Sequence, residues 1–92
     1  MAFEERFIVV EEDAALTAAV RFREEAGRLH LGLMVTDPWA DEGSLATALY
    51  AGARELAHRL GLRGVRARTR RHHRYLCEAG YRKRGGIWRT PP

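Results

Sequence analysis

The residues best suited to chemistry gather around one polar segment, Thr36 to Ser44, which separates an alternating apolar stretch from a helical one. The helix start that follows, Glu42, Gly43, Ser44, Leu45 and Ala46, offers free backbone N–H groups, and that geometry suits a phosphate. The plain alternative is an ordinary strand–loop–helix connection with a glycine and a cap. His30 has the pKa class of a general base, set against a half-buried strand residue with a hydrogen bond. Tyr75 carries a hydroxyl able to give up a proton, set against an aromatic at the core edge. Cys77 has arginines nearby, but no His and acid fall beside it by spacing, so it reads as a small packed thiol. His72 and His73 are neighbours, which on a helix point about 100° apart, so the four histidines suggest no metal site.

Charge is divided unevenly. Residues 1–62 carry 6 Arg and Lys against 11 Asp and Glu, whereas residues 63–92 carry 10 against 1, within a chain of net charge +4. An anionic partner near the C-terminal third follows: nucleic acid, a phosphorylated cofactor, or the acidic end of a second copy. Arg63, Arg66, Arg68, Arg70 and Arg71 are the candidates, and a solvated strand face is their bland reading. With 92 residues, 46% of them hydrophobic, the chain makes one small domain with a thin stability margin, which a dimer would widen. No apolar run of about 18 residues and no signal-peptide pattern are present, so neither a membrane span nor a leader is expected, and cytoplasm is the expected compartment. One cysteine excludes an intrachain disulfide.

The elements that must position these residues read in order. Met1 to Glu5 is polar and expected to be loose. Arg6 to Glu11 is a first strand, Leu16 to Glu24 a second with Leu16, Ala18, Val20 and Phe22 on one face, and Arg28 to Val35 a third. In the third, Leu29, Leu31, Leu33 and Val35 are expected to share one face, with His30 on the other. Short turns at Glu12–Ala14 and Glu24–Gly27 make the three an antiparallel meander. A helix spans 44–60, capped by Asp41 or Ser44 and stopped by Gly61, with Tyr50, Arg54, His58 and Arg59 facing water. Leu62 to Thr69 is a fourth strand, reached by the crossover helix and so parallel to the third. Arg70 to Ala79 is a helix of about three turns. Tyr81 to Thr90 is a hairpin, or one strand with a bulge at Gly85-Gly86. The fold class is α+β with a mixed central sheet, in the order β-β-β-α-β-α-β.

That order and two local patterns resemble the GCN5-related N-acetyltransferase (GNAT) superfamily, from its second strand onward. Val35 to Leu49 stands where the family has Arg/Gln-x-x-Gly-x-Gly/Ala, with Gly43 on the first glycine, Ala40 for the Arg or Gln, and Leu45 for the last Gly or Ala. Arg74 to Arg82 resembles the later helix running into Gly-Phe, with Gly80-Tyr81 in that place. The family tyrosine aligns with Leu76, and Tyr75 lies one position away. The resemblance implies a minimal, truncated single domain over residues 1–92. It implies acetyl-coenzyme A held at Val35 and Glu42 to Ala46, an unknown amine acceptor, His30 as base and Tyr75 as acid, or a member that keeps the fold without the reaction. Two other readings stay open: a nucleic-acid-binding or regulatory module using Arg63 to Arg89, and a structural homodimer module.

Overall fold

In the computed structural model, residues 6–91 are described, and the expectation for Met1 to Glu5 lies outside them. Eight elements follow the sequence: β1 (Arg6–Glu12), β2 (Ala15–Glu25), β3 (Arg28–Thr36), α1 (Glu42–Arg59), β4 (Val65–Ala67), α2 (His73–Glu78), β5 (Arg82–Arg84) and β6 (Ile87–Arg89). They form a single mixed sheet in the order β1-β2-β3-β4-β6-β5. β1, β2 and β3 are an antiparallel meander, as expected, and β4 lies parallel to β3. The last segment takes the hairpin form, with Gly85 (φ 59°) and Gly86 (φ 76°) supplying the left-handed turn between β5 and β6.

Both helices cover one face of the sheet. Leu29, Ala46, Tyr50, Ala53, Val65, Leu76 and Trp88 form the main core there, and Ala18, Val20, Leu45 and Leu49 form an adjoining one. Leu29, Leu49 and Leu76 are wholly buried, each worth about 2 kcal/mol in apolar burial. The other face of the sheet has no helix over it among the described residues and exposes Phe7, Val9, Leu33 and Val35.

The expected common face of Leu29, Leu31, Leu33 and Val35 does not form. Val20 pairs with Met34 but Phe22 pairs with Leu31, so β3 carries one extra residue in that interval. This β-bulge reverses the alternation: Leu29, Leu31 and Met34 point to the core, whereas Leu33 and Val35 are 66% and 55% exposed. A second bulge sits in β2 at Thr17, whose hydroxyl donates to the Val10 carbonyl at 3.1 Å, and it leaves Leu16 exposed.

Four further expectations need correction. α1 begins at Glu42, because Asp41 is the cap: its carboxylate accepts from the Gly43 amide. Tyr50 is buried rather than solvated, because α2 and the segment after it pack over that side of α1; the Tyr81 hydroxyl donates to the Tyr50 carbonyl at 2.8 Å. α2 has six residues rather than about three turns, since His72 adopts a left-handed conformation (φ 66°) and Thr69 Oγ1 accepts from the Arg71 amide, holding the approach in a turn. Cys77 is exposed, not packed.

Candidate functional site

The loop after β3 is tied down by its own acids. Asp37 Oδ1 accepts from the Trp39 amide at 2.9 Å, and the Asp37 carbonyl accepts from the Ala40 amide at 3.1 Å. Asp41 then caps α1, taking the Gly43 amide at 3.1 Å on Oδ1 and the Ser44 hydroxyl at 2.8 Å on Oδ2. The hydroxyl and amide together hold its carboxyl below the usual carboxylate range. Of the five helix-start residues, Leu45 and Ala46 turn their side chains into the core, and the Leu45 amide bonds the Asp41 carbonyl at 3.2 Å. Leu45 therefore puts no side chain in the path of a ligand approaching the helix start.

Gly43 has a specific reason to be glycine. A Cβ there would stand 2.8 Å from Cε1 and from Oη of Tyr75, so the tyrosine ring lies directly on the first turn of α1. Tyr75, Gly43, Glu42 and Ser44 are thereby brought together. Beside them runs a relay that the sequence reading missed. Glu42 Oε1 meets Arg71 Nη2 at 2.7 Å and His72 Nε2 at 3.0 Å, and His72 Nδ1 lies 2.9 Å from the Tyr50 hydroxyl. An ionised carboxylate only accepts, so Nε2 donates to Glu42, and in the neutral ring Nδ1 accepts from Tyr50. The His72 hydrogen bond, with Arg71, keeps the Glu42 carboxyl below its ordinary value. Burial pushes the Tyr50 hydroxyl up to about 12. The available signal was the pair Glu42 and His72, thirty residues apart, which no local spacing links.

His30 and Val35 lie elsewhere. β4 pairs with Leu29 to Leu31 and stops at Ala67, while β3 runs on through its bulge to Thr36. From Gly32 onward the two strands part, leaving the backbone of β3 without a strand on that side among the described residues. His30, two residues before Gly32, is on the uncovered face, and its Nε2 lies 3.2 Å from the Glu25 carbonyl. It faces a cavity of about 760 Å³ whose lining includes Arg23, Gly32, Arg66, Arg68 and Ile87. Tyr75 belongs to the helix side, so the sheet separates the two expected catalytic residues. Val35 is also on the uncovered face.

A central strand bulges, parts from its parallel neighbour and leads into a long helix, within a fold that known structures share. The ribosomal-protein-S18-alanine N-acetyltransferase from Escherichia coli superimposes with a TM-score of 0.81 at 12% identity, over 99% of this chain and 71% of that one. A GNAT family acetyltransferase from Brucella melitensis, in complex with acetyl-CoA, gives 0.73 at 18% identity, over 90% of this chain and 55% of that one. The chain has the GNAT fold. A PaiA N-acetyltransferase from Thermoplasma acidophilum, in complex with coenzyme A, gives 0.74 at 14% identity over 96% of this chain and 61% of that one. This GNAT-fold chain thus spans little more than half the length of the Brucella enzyme. No protein-family model and no curated protein matches it. No helix among the described residues is long and apolar enough to cross a membrane.

Proposed function

We propose that this chain binds acetyl-coenzyme A and transfers its acetyl group to an amine. The observation that carries the reading is the parting of β3 from β4 at a β-bulge, next to the N-terminus of α1, within a GNAT fold. The pyrophosphate lies at Glu42 to Ala46, where helix amides and dipole favour an anion. It takes over hydrogen bonds now made by the Asp41 carboxylate, and Arg71 turns from Glu42 toward it. The pantetheine arm runs along the free backbone edge of β3 at Val35 into the gap between β3 and β4.

The amine nitrogen attacks the thioester carbonyl, and a backbone amide of the Leu33 to Val35 stretch stabilises the oxyanion. The carbon–nitrogen bond forms and the carbon–sulfur bond breaks. His30 accepts the proton that the amine loses, and Tyr75 or a water protonates the departing thiolate. The uncovered face supplies the acceptor and the helix side supplies the coenzyme, in keeping with His30 and Tyr75 standing on opposite sides of the sheet.

Calorimetric titration of acetyl-coenzyme A at two salt concentrations tests the reading, with Gly43→Trp as control and circular dichroism to check that both proteins fold. Saturable binding that survives added salt and is lost in the variant is expected, because aligned amides contribute much of it. Absence of binding to the folded wild-type protein refutes it.

A further inference from the structure

The uncovered face carries a line of cations fixed by strand register. Arg23 pairs with His30, His30 with Arg66, Arg66 with Arg89, and Arg89 with Arg82, so five basic side chains from β2, β3, β4, β6 and β5 stand abreast on one face. Like charges directly opposite one another across strands destabilise a sheet. Counter-charge is scarce. Glu25, already paired with Arg23 at 2.9 Å, is the one acid lining the cavity among the described residues. The Nε atoms of Arg66 and Arg89 are buried and make no hydrogen bond. Arg28, at the edge of the row, has its guanidinium pKa lowered by partial desolvation and by Arg63, Arg89 and Arg66. Of Arg66 and Arg89, Arg66 lines the cavity, and its unpartnered donor beside adjacent cations is a standing cost that an anionic ligand there would reduce.

From this juxtaposition of a cross-sheet row of cations with the cavity at His30, we infer that the acceptor is a small amine bearing two carboxylates. The inference rests on the acetyl-transfer reading and supplies its substrate class. The cavity, about 760 Å³, is of the size that holds a small molecule. Phe22, Leu31, Ala67 and Ile87 contribute apolar residues to its lining. Arg66 and Arg23 flank His30, so carboxylates held on the guanidinium forks set the attached amine beside the imidazole. Gly32, where β3 leaves β4, borders the same cavity and opens it toward the gap proposed for the thioester. A concave site with apolar residues in its lining fits a compact dicarboxylate better than a nucleic-acid backbone, which asks for a raised or extended basic surface.

The test separates anion binding from turnover. Glutarate, which has two carboxylates and no amine, is titrated into the protein without coenzyme, beside putrescine, which has the opposite charge. The same is done with Arg66→Gln, Arg66→Lys and Arg23→Gln. Glutarate is expected to saturate, to weaken at least tenfold in Arg66→Gln and Arg23→Gln, and to be largely kept in Arg66→Lys. Putrescine is expected not to bind. Release of coenzyme A thiol is then compared with L-glutamate and L-lysine as acceptors, and glutamate is expected to be the faster by tenfold or more. Equal glutarate binding in folded wild type and both Gln variants, no glutarate binding, displacement of glutarate only by a short duplex DNA, or a preference for lysine would each overturn the inference. Glutarate binding retained by a protein that never binds acetyl-coenzyme A would leave an anion site but remove its role as acceptor site, and so refute the proposal through the function it rests on.

Discussion

The contact between Gly43 and Tyr75 can be weighed with a double-mutant cycle. In Gly43→Ala the new methyl would stand 2.8 Å from Cε1 and Oη and 2.9 Å from Cζ of Tyr75, roughly half an ångström or more inside ordinary contact. Forcing the ring away costs about 1–3 kcal/mol, as overpacking generally does. Against it, alanine is favoured over glycine in a helix by up to about 1 kcal/mol, and by less in a first turn. The net is a loss of about 0–3 kcal/mol. In a Tyr75→Ala background the obstacle is gone and the same substitution should stabilise by up to about 1 kcal/mol. The coupling energy is therefore about 1–3 kcal/mol, measured by urea unfolding of the four proteins, with slopes compared to check two-state behaviour. Thiol release is measured on the same set, where Tyr75→Phe keeps the ring, removes the proton, and should slow turnover tenfold or more. If Gly43→Ala shifts stability equally in both backgrounds, to within about 0.5 kcal/mol, the ring does not rest on α1 and Tyr75 has no structural claim to that site.

Two other outcomes follow from hydrogen bonds. Asp41→Ala removes the α1 cap and should lower the melting temperature by a few degrees at neutral pH. Because the Asp41 carboxyl is held below its unfolded-state value, its contribution is full above that value and fades as pH falls through the lower folded-state one, so variant and wild type should converge in acid. Thr90→Val leaves the buried Val65 amide without its 2.9 Å acceptor and should cost about 1–3 kcal/mol in urea unfolding, with little effect on coenzyme binding.

Much of the frame could be read from local pattern. The helical spacing of Leu45, Leu49 and Ala53, with Asp41 before and Gly61 after, fixed α1 to within two residues, and a crossover of that length required β4 to run parallel to β3. Gly85-Gly86 marked the hairpin, one of two forms they allowed. The bulge in β3 was not legible, because Leu29 to Val35 alternates without fault; the inserted residue shows only through its partners on β2, which lie outside that window. Tyr50 looked solvent-facing on a helical wheel, since what buries it, Tyr81 and the residues leading into α2, comes from over twenty positions away. The Glu42–His72–Tyr50 relay was illegible for the same reason. The resemblance identified the loop and Tyr75 as places of interest, but the sequence had no means of telling that the tyrosine ring and Gly43 occupy one another's space.

The bulge also divides β3 into two segments of opposite phase. Leu31 and Leu33 have the same side chain two positions apart, yet one packs against the core and the other is two-thirds exposed. Hydrophobicity along this strand is therefore no guide to constraint: Leu33 is open to polar replacement, Leu31 is not, and the boundary falls at Gly32. Removing a single residue there would restore regular alternation along the whole strand, with Met34 still opposite Val20 and every residue beyond it on its present side. Leu33 and Val35 would remain outside and Met34 inside, and what would be lost is the irregularity beside the gap. At this point the fold depends on a count of residues more than on their kinds.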